Sequence, residues 1–575
     1  MKGLTTSLLP ALATVAVLGL VPAALAHGDD EMKMGEADKP LPEDQYAPNY
    51  FAHPEHRGAI YAHIALMVLA WVFMLPVAVM MSLARSRLTL LAQFIFLATN
   101  AGGLLAGIFY NASTPDLYPN NAHHKLGWVV TWMVGAQVVV SLLGRVAGVL
   151  TRKPSGDRQG FIPVSTEAIA EHESRFPGTR RFSNDSGQGT EPISESIRVS
   201  SGVDSPSITL REAQKEYNEA DGDDDIPLFP RAGKVYLLAH KVASKISSRF
   251  WKPFVFAYNV VDRTILMLGF VALCTGVIAF GRFFEGGQIF TGLAHWIKGG
   301  VFFWLGIFTL GRWAGSFGDL GWAWNVQPKR EDQKWRPSAE FVESALILFY
   351  GSTNIFLEHL GGWGGEWGEQ DFEHISITVL FIGGGLCGVL IESTRMRDLL
   401  NTTVEDAAHE TSDDAYSDEE RNELRQPETY PFSMNPIPAL VILLLGIMMS
   451  SHTQDSMVSS MVHKQWGNLL TGSSVARGFS YVLTYLKPPK SIYPSRPPTE
   501  LLTAFGLMAG GIIFMASSGD TVDGMVHYQL DAMFIYTVTM GLIGLLMAWI
   551  LIVIALKGWA VQKERSHATS SCSSF

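Results

Sequence analysis

The chain has 575 residues, of which 47% are hydrophobic and 17% charged, and its formal net charge is −11. Positive mean hydropathy suits a polytopic membrane protein carrying polar loops, and the acidic balance gives no basis for nucleic acid as a partner. Cysteine is scarce, and Cys274 and Cys387 fall in apolar stretches, which excludes a disulfide framework.

Residues 1–26 read as a signal peptide. Lys2 is the basic start, Leu8 to Leu25 the apolar region, and Ala24-Leu25-Ala26 a small-residue cleavage site. Residues 27–57 follow as a polar extracytoplasmic tail. Cleavage would leave His27 first, near Asp29, Asp30, Met32 and Met34, either as a copper chelator or as part of a plain polar tail.

Apolar segments then recur near 58–84, 88–110, 124–150, 254–281, 292–312, 339–357, 375–393, 437–451, 465–486, 499–517 and 532–556. The predicted fold class is therefore all-α: a polytopic integral membrane helical bundle of about eleven transmembrane helices after the signal peptide. Membrane parts at 58–150, 251–313 and 338–560 are separated by a polar insert, 151–250, expected to be disordered, and interrupted by an acidic loop, 398–436. A tail at 561–575 closes the chain.

Arg85 and Arg87, Arg145 and Arg152, Lys329 and Arg330, Arg395 and Arg397, Lys487 and Lys490, and Lys557 and Lys563 follow alternate spans. Those loops are predicted cytosolic, with the N-terminus outside and the C-terminus inside. Asn111-Ala112-Ser113 then lies outside as a glycan acceptor. The signal assigns the protein to the secretory system: plasma membrane, vacuole, Golgi or endoplasmic reticulum.

His63 sits a few residues into the first span, HIALMVLAWVFMLPVAVMMSLAR, and His123-His124-Lys125-Leu126-Gly127 opens the third. Both spans enter from outside, so the histidines share a depth. An ionisable side chain in a span is costly and needs a partner. Two neutral imidazoles at one depth suit the axial positions of a b-type haem; hydrogen-bonded structural histidines are the alternative.

These residues also carry a resemblance. The first span resembles the first core helix of the cytochrome b-561 family, in which a His precedes an L-M…A-W…P pattern ending in Arg. HHKLGWVVTWMVGAQVVVSLLGR resembles that family's third core helix, where H-x-x-L-G is followed by Gln and Gly. The resemblance implies haem b held by His63 and His123, with His124 as the adjacent alternative. Two positions depart from the pattern. Thr89, four residues before Gln93, and Asp262, before Arg263, stand where the family has the ligands of an inner haem. The inner haem is therefore expected to be missing.

The whole chain is similar to the fungal yeast-putative-transmembrane-protein (Ytp) family, which joins a b-561-like half to a distinctive C-terminal half. LAHWIKGGVFFWLGIFTLGRW, 293–313, and GSTNIFLEHLGGWG, 351–364, carry this likeness. It implies a membrane protein of electron-transfer ancestry.

The C-terminal half repeats one plan three times. Glu358 and His359 end a span before Asp371, Glu373 and His374 start the next. His452 and Asp455 precede His463, and Asp520 and Asp523 precede His527 and Asp531. All three loops are predicted to face outside. Imidazole with carboxylate is a ligand set for zinc, copper or iron, so His359, His374, His452, Asp455, His463, Asp523 and His527 are candidate metal or second-haem ligands; loop-structural roles are the alternative. His295 opens the fifth span and is expected to snorkel, with a role as a further ligand the alternative. GGWGGEWGE, 361–369, lacks the strand and Lys of a phosphate cradle. Cys572 stands four residues from the end, but serines fill the middle of that motif.

The function expected first is one-electron transfer by a membrane protein with one haem near its extracytoplasmic face, surrounded by membrane lipid and serving an unidentified electron donor or acceptor. The alternatives are a transporter or metal-handling protein using the outer clusters, or a non-catalytic scaffold.

Overall fold

The computed structural model describes residues 46–151, 248–328, 337–354, 366–410, 427–452, 454 and 456–573. The signal peptide, the tail to residue 45 and nearly all of the 151–250 insert lie outside the described residues. Among the described residues there is no strand. In hydrocarbon every backbone N–H and C=O must be satisfied within the protein, and a helix does this along its own length.

The helices are α1 (Arg57–Leu83), α2 (Thr89–Ser113), α3 (Ala122–Thr151), α4 (Ser248–Gly281), α5 (Ile289–Ala314), α6 (Ala339–Asn354), α7 (Glu369–Glu392), α8 (Thr394–Glu410), α9 (Ile437–Ser451), α10 (Met457–Leu486), α11 (Thr499–Ala516), α12 (Gly519–His527) and α13 (Ala532–Ser573). Each of the eleven predicted segments falls on one of them, residues 355–357 lying outside the described part. Among the described residues eight helices, α1 to α5, α7, α11 and α13, are long and apolar enough to cross a membrane. The protein is a polytopic helical membrane protein.

α10 begins well before the predicted 465. Ser456 accepts the Ser459 N–H at 2.9 Å and caps a first turn whose Ser459, Ser460, His463 and Lys464 mask the apolar pattern. Its buried face carries His463, Ser473, Ser474, Arg477, Ser480 and Thr484. Such a face belongs against protein, and it lowers the apolar average over the full length of α10. α13 runs on as helix through the predicted tail. There Glu564 accepts the Arg87 N–H at 2.9 Å and the Ser86 hydroxyl at 3.2 Å, tying the tail to the loop after α1.

α1 contains one π-helical stretch, Leu69–Met74, just before Pro76. Pro cannot donate to the helix ladder, and a wider turn relieves its clash with the preceding carbonyl. Trp71, in that stretch, is buried and donates to Asn100 Oδ1 at 2.9 Å.

The described residues divide into two compact units, one from 1–131 with 266–575 and one from 132–265. In the second, Phe256 and Trp132 are each 71% exposed, as lipid-facing side chains are. Its polar interior is a very short bond from the Gln137 amide to the Asp262 carboxylate, both residues being buried.

In the first unit α11 is the central helix. Of its apolar window 72% is buried, against 17–33% for the other candidate spans. Close approach is made by small residues, as is usual where lipid tails match side chains in polarity. A Cβ on Gly511 would lie 2.5 Å from the Gly299 carbonyl oxygen, and one on Gly446 would lie 2.7 Å from that of Gly467. α5 therefore meets α11, and α9 meets α10, backbone to backbone. Gly511→Leu should push α5 off α11 and lower stability by about 1–3 kcal/mol, the range for overpacking a tight core. Gly541→Leu, with nothing within 4 Å of its Cβ, serves as control. Thermal melting in detergent checks this, and a Gly511→Leu protein melting with the control would rule out the close contact.

Candidate functional site: paired histidines and a buried charge network

His63 on α1 and His123 on α3 come together, with ring centroids 6.1 Å apart and planes at 81°. The His63 Nδ1 bonds the Gly103 carbonyl of α2 at 2.8 Å. The His123 Nδ1 lies 3.2 Å from the Ala272 carbonyl of α4 and 3.3 Å from the Thr275 hydroxyl. A carbonyl only accepts, so each Nδ1 carries the proton, and in the neutral ring Nε2 keeps its lone pair.

The seat is built the same way twice. Four residues beyond each accepting carbonyl stands a glycine. A Cβ on Gly107 would fall 2.7 Å from His63 Nδ1, and one on Gly276 would fall 3.1 Å from His123 Cε1. Both rings thus rest in notches that a side chain would fill. His124 is exposed, and its backbone N–H bonds Asn121 Oδ1 at 3.2 Å.

The two rings stand 6.1 Å apart with both Nδ1 atoms engaged by carbonyls, so any ligation would fall to the Nε2 atoms.

The two positions expected to lack inner haem ligands have protein partners. The buried Thr89 hydroxyl donates to the Met81 and Ser86 carbonyls at 3.0 and 2.7 Å, at the start of α2. Asp262 takes the Gln137 amide.

In the C-terminal half the histidines meet at the predicted outer ends of α5, α7, α9 and α10. His295 and His463 have ring centroids 6.1 Å apart at 87°. Each Nδ1 bonds a carbonyl one turn back in its own helix, Thr291 at 2.9 Å and Ser459 at 2.8 Å. The His295 ring lies against those of His463 and Phe514, its Nδ1 proton satisfied by its own helix. The His452 Nδ1 lies 3.8 Å from Glu373, and His374 is within charge range of His295. His359 and Asp455 lie outside the described residues. Among the described residues no three His, Cys, Asp or Glu side chains converge closely enough to enclose a metal ion.

Asp523 and His527 share a face of α12 one turn apart. His527 stacks on Tyr46 at 3.9 Å and 7°, and Asn49 donates to the Tyr528 hydroxyl at 2.9 Å. The predicted tail is thus anchored from residue 46 onward. Burial, then the charges of Tyr528, Asp523 and Asp520, push the Tyr46 phenol up to about 12. Asp520 accepts the Phe284 N–H at 2.5 Å.

A third polar feature escaped sequence reasoning. Arg312 of α5, Glu340 and Glu343 of α6, Arg477 of α10 and Glu500 of α11 form a buried network, each residue at most 7% exposed. Arg312 reaches Glu340 at 2.9 Å and Glu343 at 3.4 Å, and Arg477 reaches Glu500 at 2.9 Å and Glu343 at 3.4 Å. The signal was present: single charges inside apolar segments, as in FTLGRW and SVARGF. Reading the basic residues only for topology passed over it.

The Asp520 carboxyl is pushed above its ordinary value by burial first and by the Glu285 charge, the Phe284 N–H acting against both. Folding thus favours its protonated form, and stability from this group is complete below the ordinary carboxylate range and falls as pH rises through the folded value. Asp520→Asn, which keeps the acceptor oxygen, should melt higher than wild type at neutral pH and match it in acid. Equal melting temperatures at every pH would show that the carboxyl is unperturbed.

Residues 268–558 match the family described as "Protein YTP1-like, C-terminal", and residues 44–147 match a "Domain of unknown function (DUF2427)". An uncharacterized membrane protein of Schizosaccharomyces pombe is 32% identical over 514 residues, which cover 87% of this chain and 94% of the relative. An uncharacterized membrane protein of Saccharomyces cerevisiae is 38% identical over 323 residues, covering 54% and 49%. Protein YTP1 of the same yeast is 22% identical over 255 residues, covering 44% of each. No solved structure matches. With the C-terminal match and the near full-length fission-yeast relative together, the chain belongs to the YTP1-like family of membrane proteins.

Proposed function

We propose that the protein is a b-561-like membrane electron carrier that holds one b-type haem between His63 and His123, near the extracytoplasmic face. The observation that carries this is the His63–His123 pair: ring centres 6.1 Å apart, each Nδ1 bonded to a carbonyl of a neighbouring helix, and each ring seated over a glycine. Bound haem supplies a one-electron couple whose potential is set by its axial ligands and their surroundings. The protein's part is to hold the two rings. The Gly103 and Ala272 carbonyls keep each Nδ1 protonated and aim each Nε2 lone pair away from its own hydrogen bond. Gly107 and Gly276 leave the space the rings occupy. Thr89 and Asp262 have protein partners, which favours a single outer centre over a relay across the bilayer. The donor or acceptor is then a diffusible molecule or protein on the outer side, in the N-out, C-in orientation set by the basic loops.

A second reading rests on the outer cluster of His295, His374, His452, His463 and Glu373. There His295 and His463 repeat the 6.1 Å spacing with Nδ1 satisfied. It makes the protein a metal-handling carrier that accepts zinc, copper or iron from outside.

A reduced-minus-oxidised absorption spectrum of the purified full-length protein separates the two. The haem reading expects a b-type band in wild type and in His124→Ala. The band should be lost in His63→Ala and His123→Ala and weakened or displaced in Gly107→Leu and Gly276→Leu, whose added side chains enter the ring seats. A colourless protein carrying stoichiometric metal that His463→Ala releases would replace this reading with the second. A colourless, metal-free protein would sink both.

A further inference from the structure

The Arg312, Glu340, Glu343, Arg477 and Glu500 network does not balance. Two guanidinium groups meet three carboxyls, leaving one negative charge in excess if every carboxyl is ionised. All five side chains are at most 7% exposed, and an uncompensated charge in such surroundings is costly. Among the described residues, the titratable groups that face the network are these five and Tyr481, whose hydroxyl lies 3.5 Å from Glu340; to the adjoining cavity α9 contributes the apolar Pro438, Ala439 and Ile442.

Geometry separates the three carboxyls. Glu340 and Glu500 each stand in the first turn of a helix, where the N-terminal dipole favours an anion; Glu340 accepts from Arg312 at 2.9 Å, and the Arg477 Nε lies 2.9 Å from Glu500 without the alignment of a hydrogen bond. Glu343 lies past the first turn, and its arginine contacts are all 3.4 Å, long for charge-assisted bonds. It also faces a cavity of about 20 Å³, taken as the volume open to a water centre, which is room for one water. Ser473, Ser474, Thr503 and Arg477 line the same cavity. The Ser474 hydroxyl is buried there with no protein partner, and a molecule in the cavity would satisfy it.

We propose that Glu343 is a proton-binding site within the membrane bundle, taking one proton from bulk solvent, with the adjoining cavity as its water-sized antechamber, and so bringing the network to neutrality. The account balances: two positive charges, two carboxylates and one neutral carboxylic acid. The ligand is a proton, and the site stands independently of the haem reading, since all of its residues lie on α5, α6, α10 and α11. Arg477 links both halves of the network, so loss or gain of that proton changes what it bonds. It therefore couples α6 to α11.

Infrared spectroscopy of the full-length protein in lipid nanodiscs tests this. Wild type at neutral pH should show a protonated carboxylic C=O band that shifts on exchange into heavy water. Glu343→Gln should remove that band, while Glu340→Gln and Glu500→Gln keep it. Melting gives a second readout. Gln mimics a protonated carboxyl, so Glu343→Gln should melt at or above wild type, whereas Glu340→Gln and Glu500→Gln should melt lower. No protonated carboxyl band in wild type, a band that survives Glu343→Gln, or a Glu343→Gln protein that melts as low as Glu340→Gln would each overturn the proposal.

Discussion

A polar group inside hydrocarbon has no water to bond, and this constraint shapes every part of the molecule described above. The paired histidines, Asp262 and the buried arginines each have a partner from another helix or from their own preceding turn. His63 leans on α2 and His123 on α4. His295 and His463 turn back on their own helices. Asp262 takes Gln137. Arg312 and Arg477 between them engage three glutamates. The bundle's contacts are therefore specific where they are polar. Where they are apolar they depend on glycines that let backbones touch, as at Gly299 with Gly511.

The same constraint separates two kinds of polar station in the C-terminal bundle. Histidines lie at one end of α5 and α10, and the Arg–Glu network lies towards the other end of the same helices. A network of this kind is weak evidence for stability as such, because desolvation cancels much of the ion-pair attraction. Its value is in specifying which helix ends meet, and in giving the bundle a charge state that can change. The His63–His123 pair is different in character. It contains no carboxylate, and its rings are held by backbone oxygens of neighbouring helices, 6.1 Å apart.

Much of this was legible from the residues. The helical segments followed from apolar length, and the meeting of His63 with His123 followed from depth: two spans entering from one side bring their early residues level. His295 was harder. A histidine at a helix start looks able to reach the interface, and only the packing of α5 against α10 and α11 placed its ring between His463 and Phe514. The Arg312 and Glu343 network was harder still. Its members lie up to 188 positions apart, from Arg312 to Glu500, and apart from Glu340 and Glu343, one turn apart on α6, no helical spacing links them. The start of α10 was misplaced for a related reason. Hydropathy averages over all faces of a helix, and α10 hides its polar face against protein.

By itself, the sequence determined that the chain is helical and membrane-spanning and which histidines share a depth, because the cost of exposing backbone to lipid and the rise per residue of a helix are local quantities. Only the tertiary structure decided which carbonyl holds each imidazole, which glycine makes room for it, and that two arginines and three glutamates converge in one apolar bundle. Those depend on the rotation of each helix about its axis. That rotation is settled by the joint packing of many side chains, and no short stretch of residues encodes it.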